Sequence, residues 1–336
     1  MSTLRIEASR AYNVYIGRGI IDRVGTEAAK LIEPCRAVIV SGDNVFPLYG
    51  EALKNSLESA GFKVLSFVHE SGENAKSLET YGRLLNFLCE NHLSRSDAVF
   101  ALGGGVTGDL AGFAAATYQR GMALVHIPTS LLAMVDSCVG GKCALNLQGG
   151  KNQVGAFYQP AAVFCDTDTL KTLPEENCSE GWAEIIKYGI LDASVDFTAS
   201  DCDIDRLIYD CLRVKKSYVE KDELDCGDRR YLNLGHTLAH ALEKYSGYTV
   251  SHGRAVAMGL AVMTGYNDKV CLALKKHGLP RECPYPRGEL CKLMISDKKR
   301  HCNSITLVVP KSIGNCELVE VPTEKLESFI FGGCHE

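Results

Sequence analysis

No stretch of this 336-residue sequence is apolar for long enough to span a bilayer, and Met1–Arg10 lacks the apolar core of an export signal. The chain therefore reads as cytoplasmic, without a membrane partner. Positive charge is not in excess either. Lys and Arg number 36 against 41 Asp and Glu, a net charge of −5. That balance argues against a broad nucleic-acid-binding surface, but leaves room for a local basic pocket holding a small anion. Low-complexity tracts and internal repeats are missing. So are CxxC pairs, although the chain has 15 cysteines, an odd number with no regular spacing. Without an export signal such a set reads as reduced thiols, mostly small core residues; a zinc–cysteine cluster is the sharper alternative. What is present is an ordinary globular composition, 46% apolar and 23% charged, in a chain long enough for about two domains.

The first half alternates strand-like and helix-like segments. Ala37–Ser41, Lys63–Val68, Ala98–Leu102 and Leu124–Ile127 are short apolar runs rich in β-branched residues. Polar or glycine loops follow them: Gly42-Asp43-Asn44, Ser71–Lys76, Gly103-Gly104-Gly105 and Pro128-Thr129-Ser130. Helical periods over Val45–Ala60 and Ser77–His92 intervene. This pattern predicts a parallel sheet covered on both faces, a Rossmann-like α/β domain over residues 1–174. Ligands of such sheets sit at the carboxyl ends of the strands, where these loops fall. After Pro174 the texture changes to long amphipathic stretches: Gly181–Leu191, Asp203–Asp222, Leu232–Tyr245 and Arg254–His277. Residues 175–336 read as a mostly α-helical second domain, with one late β-like run at Ser304–Val309.

Four constellations carry chemistry. Gly103-Gly104-Gly105-Val106-Thr107-Gly108-Asp109 follows a strand and opens a helix. Its glycines allow backbone N–H groups to approach a pyrophosphate, or else simply make a tight turn. Asp136–Lys142 and Gly149-Gly150-Lys151-Asn152 set two lysines in glycine-rich loops, a phosphate site or solvated charge. Glu184 and Lys187 lie three apart on an otherwise apolar helix, where charge is costly unless paired or bound to a ligand. Finally, Arg229, Asn233, His236 and His240 step by four, three and four along one expected helix stripe. Two imidazoles on one face are a common start to a divalent-metal site, and His252 opens the next helix-like run. Packed, hydrogen-bonded histidines are the plainer alternative. An Arg on that stripe suits a carboxylate.

Taken together, in this order, the segments resemble the 3-dehydroquinate synthase family of sugar phosphate cyclases, from about Ser41 to about Gly314. The motifs that carry the likeness are Gly-Gly-Gly-Val-x-Gly-Asp, Arg120-Gly121 before Ile127-Pro128-Thr129, and Val135-Asp136-Ser137 with Gly-Gly-Lys. Gly-Lys-Asn, Ala-Glu-Ile-Ile-Lys, Asn-x-Gly-His-Thr-x-x-His and His-Gly-x-Ala-Val-Ala follow. The resemblance implies the family's two-domain fold and a homodimer. It implies that Glu184, His236 and His252 hold Zn²⁺ or Co²⁺, while His240 contacts the substrate. NAD would lie over Asp43, over Ser71, Gly72, Glu73, Asn74, Ala75 and Lys76, and over Gly104, Gly105, Val106, Thr107, Gly108 and Asp109. Thr129 and Ser130, then Thr169, Leu170, Lys171 and Thr172, complete that set. Asp136, Lys142, Lys151, Asn152, Lys187, Lys215, Arg229, Asn233 and a lysine of Asp297-Lys298-Lys299 would surround the substrate, with Asp136, Lys142 and Lys151 also bordering the cofactor. His240 and Lys187 would handle protons and an oxyanion.

The implied reaction takes 3-deoxy-D-arabino-heptulosonate 7-phosphate to 3-dehydroquinate. It runs through transient oxidation by NAD, phosphate elimination, re-reduction, ring opening and aldol closure. The chain departs from the family pattern at Ser130, Cys138, Cys143, Ala239 and Glu176-Asn177. None of these removes an expected metal ligand or phosphate lysine. The rivals are another cyclase such as 2-deoxy-scyllo-inosose synthase, a metal- and NAD-dependent polyol dehydrogenase, and a non-catalytic binding protein. Lys215 with Arg229 weighs against the first, because a hexose phosphate has no carboxylate for that pair.

Overall fold

The structure is a computed structural model describing residues 1–198, 203–298 and 303–332, the side chains of 297 and 298 excepted. It divides into two compact units, residues 1–173 with 204–216, and residues 174–203 with 217–336.

The first unit opens with β1 (Ser2–Ile6), β2 (Tyr12–Gly17) and the short α1 (Val24–Ala28). Next come β3 (Arg36–Gly42), α2 (Phe46–Ser59), β4 (Lys63–His69), α3 (Leu78–Glu90), β5 (Ala98–Gly103) and α4 (Gly105–Thr117). It continues with β6 (Ala123–Pro128), β7 (Lys142–Leu147), β8 (Gly150–Phe157) and β9 (Ala162–Asp166). The strands form a sheet in the order β1-β2-β9-β6-β5-β3-β4. Every pairing in it is parallel except β1–β2. The strands alternate large side chains between two apolar layers, as period-two backbone requires. Ile39, Phe100 and Val125 pack with Leu53 and Leu57 of α2, whereas Val40, Val99 and Leu124 pack with Leu84 of α3 and Leu110 of α4. The registers Gly42↔His69 and Gly103↔Pro128 bring the loops after β3, β4, β5 and β6 to one edge.

The Gly-Gly-Lys segments are not loops, because Lys142 opens β7 and Lys151 lies in β8 of an antiparallel hairpin. The glycines turn the chain into it, Gly140 at φ 99° and Gly141 at φ 70°. From there Lys142–Leu145 alternates outward and buried residues.

The second unit is helical apart from one hairpin. Its elements are α5 (Glu175–Leu191), the end of α6 (Ile204–Lys221), α7 (His236–Tyr245) and α8 (His252–Met263). These are followed by α9 (Asp268–Lys276), α10 (Arg287–Lys298), the strands β10 (Ser304–Ser312) and β11 (Asn315–Pro322), and α11 (Leu326–Phe331). Two expected helices are shorter than their periodicity suggested. The stretch Leu232–Tyr245 is helical only from His236, because Asp228–Asn233 is a 3₁₀ turn and Gly235 takes φ 77°. Arg229 and Asn233 therefore do not share a helix stripe with His236 and His240. The run Arg254–His277 breaks at Gly265 and Tyr266, both at φ 60°, and Asn267 caps α9 by accepting from Lys269 N and Val270 N. Among the described residues no helix is long and apolar enough to cross a membrane.

Candidate metal and nucleotide sites

Three helices of the second unit each present one donor to a common point. Glu184 comes from the middle of α5, His236 from the first residue of α7 and His252 from the first residue of α8. Glycines next to the donors permit this. A Cβ on Gly259 would sit 2.2 Å from the carbonyl oxygen of Gly235, and one on Gly253 would sit 2.5 Å from Glu180 Cα. The start of α7 thus lies directly on α8, and the start of α8 directly on α5.

At that point Glu184 Oε1 lies 3.4 Å from His236 Nε2 and 3.5 Å from His252 Nε2. The outer nitrogens are also engaged. His236 Nδ1 is 3.1 Å from the Leu234 carbonyl and His252 Nδ1 is 3.5 Å from Glu243 Oε2. An acceptor on each Nδ1 favours a proton there, so that a neutral ring would offer its Nε2 lone pair to a cation beside Glu184. One carboxylate and two imidazoles with an open side is a donor set that Zn²⁺ and similar cations take. Among the described residues, this is the one group of His, Cys, Asp and Glu whose donor atoms converge, all within 4.8 Å of one another. The twelve described cysteines are free thiols and none belongs to it.

Glu184 and Lys187 are each 1% exposed and form an ion pair one helical turn apart. Burial pushes the Glu184 carboxyl up, but Lys187, then His236 and His252, outweigh it and hold it well below the usual range. Burial pushes His252 down, and its hydrogen bonds to Glu184 and Glu243 prevail, holding it at about 10. A cation held at the same point would take over the role of that proton. His240 is exposed, its ring centroid 5.8 Å from that of His236 and 6.4 Å from that of His252. Arg229, 2% exposed, donates from Nη1 to the Glu223 carbonyl at 2.5 Å, and its backbone N–H donates to Asp222. Asn233 lines a small recess with Thr237 and Met294.

The first unit holds the other expected residues. Gly103-Gly104-Gly105 joins β5 to the N-terminus of α4 around a small recess, lined also by Asp109, His126, Ser137 and Lys142. A Cβ on Gly104 or Gly105 would come within 3.2 Å of Ser130 Oγ or Ser137 Oγ, so the loop is open only because it lacks side chains. Lys76 is buried and donates to Asp109 Oδ2 and Asn152 Oδ1, both at 2.5 Å. Burial raises the Asp109 carboxyl, and Lys76 pulls against it. Thr107 meets His69 Nε2 at 3.1 Å. Asp43 accepts from the Ser71 N–H at 3.0 Å, and Glu73 from Asn146 at 2.7 Å. Thr129 is buried; Thr169–Thr172 lies in a 3₁₀ turn where the Thr169 carbonyl receives the Tyr49 hydroxyl. Lys215, 6% exposed, holds Asp136 through the carbonyl at 2.7 Å and Oδ1 at 3.1 Å. Lys151 is half-buried in β8. The lysine expected from Asp297-Lys298-Lys299 lies outside the described residues.

Sequence reasoning missed Glu243 and His126. Glu243 follows His236 by seven residues, two helical turns, so its place on the same stripe was readable. His126 sits mid-strand, and nothing local marked it as facing the glycine loop.

The family models and the curated relatives point to one family. The model described as 3-dehydroquinate synthase N-terminal matches residues 66–180, and that described as 3-dehydroquinate synthase C-terminal matches residues 181–300. A 3-dehydroquinate synthase of Clostridium kluyveri is 39% identical over 344 residues, covering 96% of each chain. One from Streptococcus suis is 39% identical, covering 95% of this chain and 96% of its own. Among solved structures, a 2-deoxy-scyllo-inosose synthase complexed with carbaglucose-6-phosphate, NAD⁺ and Co²⁺ superimposes with a TM-score of 0.87. It is 25% identical and covers 99% of this chain and 100% of its own.

Proposed function

The chain belongs to the 3-dehydroquinate synthase family, and from that premise we propose how its own residues carry the family's reaction. It is an enzyme that converts 3-deoxy-D-arabino-heptulosonate 7-phosphate to 3-dehydroquinate and phosphate. The observation that carries the reading is the convergence of Glu184 Oε1 with the Nε2 atoms of His236 and His252. In this reading those three residues hold a Zn²⁺ or Co²⁺ ion, and NAD lies along the glycine loop at the start of α4. When bound, the ion supplies Lewis acidity at the substrate hydroxyls and NAD supplies a hydride acceptor that is restored within each turnover.

The chain's own groups do the rest. The side-chain-free strip at Gly104 and Gly105 lets backbone N–H groups at the α4 N-terminus meet a pyrophosphate. Asp43, Ser71–Lys76, Val106–Asp109, Thr129-Ser130 and Thr169–Thr172 border the cofactor. Lys142, Lys151 and Asn152 are the groups assigned to the substrate phosphate, with Lys76 holding Asn152 in place. Arg229 is assigned to the carboxylate, its buried guanidinium already oriented by the Glu223 carbonyl. Lys215 fixes Asp136, and Asn233 contacts the substrate. Lys187 keeps Glu184 ionised and offers an ammonium to a developing oxyanion. His240, exposed on the face of α7 that carries His236, holds or passes the proton. Most of this work is orientation of one flexible substrate.

The chain acts as a cytoplasmic homodimer in this reading, a state that light scattering of the purified protein tests. The activity test follows inorganic phosphate from the heptulosonate phosphate with NAD⁺ and Zn²⁺. Phosphate release without net NADH is expected. His240→Ala should keep stoichiometric zinc and lose at least about a hundredfold in rate. Net NADH from a polyol, or loss of zinc in that variant, would overturn the assignment.

A further inference from the structure

We propose that Glu243 is the positioning residue of the metal centre: its carboxylate accepts the Nδ1 proton of His252 and so aims Nε2 at the ion. The proposal rests on reading Glu184, His236 and His252 as ligands.

Glu243 is 3% exposed, and a carboxylate is costly in such a place unless it is paired. Its Oε2 lies 3.5 Å from His252 Nδ1, on the side of the ring away from Glu184. His236 and Glu243 are seven residues apart on α7, so one stripe of that helix carries both a donor and the group that orients the other donor.

The two imidazoles are held by different means. His236 is 13% exposed and its Nδ1 faces the Leu234 carbonyl, a backbone acceptor that the turn before α7 fixes in place. His252 opens α8, its side chain is 33% exposed, and the acceptor for its Nδ1 is a side chain. Without that acceptor the ring has freedom to rotate about χ2 and to carry its proton on Nε2, which would silence it as a ligand.

The backbone of Glu243 adds a second tie. Its carbonyl accepts from Tyr248 N at 2.7 Å and from Ser246 Oγ at 3.0 Å. Those bonds close the turn leading from α7 to α8. One residue thus sets both the return of the chain and the angle of the ring at its end.

The test uses the full chain stripped of metal. Zn²⁺ affinity is measured by competition with a chromophoric chelator, and the visible spectrum of the Co²⁺-loaded protein reports coordination geometry. Glu243→Leu should weaken zinc by about ten- to a hundredfold and alter the Co²⁺ spectrum. Glu243→Gln keeps an acceptor oxygen at the same reach and should restore most of the affinity and the spectrum. Wild-type affinity in Glu243→Leu, or equal losses in the Gln and Leu variants, would overturn the proposal. If Glu243→Leu does not fold, Glu243→Asp takes its place: one methylene short of the ring, it should bind zinc more weakly than Glu243→Gln, and equal affinity overturns the proposal. His252→Ala separates the two layers of inference. Loss of zinc there with none in Glu243→Leu removes only the positioning role, whereas full zinc affinity in His252→Ala removes the ligand assignment itself.

Discussion

Replacing Glu184 by Gln tests the energetic core of the site. The change keeps the shape of the side chain and removes its charge, leaving the Lys187 ammonium, 1% exposed, without the carboxylate it pairs with. Removing one partner of a buried ion pair costs about 3–5 kcal/mol. The amide oxygen still faces Lys187, so about 3 kcal/mol is expected. The charge is present under ordinary conditions. Burial opposes it, but Lys187, His236 and His252 hold the carboxyl well below its usual range. A depressed carboxyl contributes stability above its unfolded pKa and loses it as pH falls through the folded one. At pH 7.5 the contribution is therefore fully in force. The assay is urea unfolding of metal-stripped protein, with zinc content measured separately. Glu184→Gln should lose both stability and zinc. Glu184→Gln with Lys187→Met should recover stability and remain without zinc, because the stranded charge is gone but the ligand is not restored. A loss below about 1 kcal/mol in the single variant, or a double variant as unstable as the single, would refute the pairing argument.

Two further outcomes follow from geometry elsewhere. Burial pushes His126 down from 6.5 to about 4, so the unfolded chain takes up its proton first and stability falls as pH drops between those values. At pH 4.5 the loss should be about 2–3 kcal/mol, measured as the change in urea midpoint that disappears in His126→Gln; equal acid sensitivity in both proteins would contradict it. Gly259→Ala places a Cβ 2.2 Å from the Gly235 carbonyl and should force α7 and α8 apart, costing about 1–3 kcal/mol and weakening zinc binding. Gly82→Ala meets nothing within 4 Å and is the control, expected to stabilise by about 0.5–1 kcal/mol. Unchanged zinc affinity in Gly259→Ala would break the link between helix approach and the donors.

The sheet was legible because each strand from Ala37 to Ile127 is a short apolar run closed by polar or glycine residues. β1, β2 and β9 were not assigned from the sequence; Arg5 and Glu7 pair with each other beside the edge strand β1. The Lys142–Phe157 hairpin was masked by its own glycines, which look like loop punctuation until Gly155 is seen close against the Cys143 carbonyl. In the second unit the helical period ran through Gly235 and Gly265, since periodicity does not register a single left-handed residue. That overextension produced a false stripe from Arg229 to His240. The donors Glu184, His236 and His252 were readable as residue types. Their convergence depends on how α5, α7 and α8 touch, which no local pattern encodes. Glu243 was passed over because a glutamate near a helix end ordinarily faces water.

If Glu184, His236 and His252 hold an ion as proposed, the order in which the chain acquires it follows from where they are strung. Glu184 and His252 are separated by the end of α5, by α6 and by α7. In that reading, capture of the cation waits until α5, α7 and α8 have docked. A fluorescent zinc probe added during refolding would then time the completion of that three-helix junction, with no engineered label on the chain.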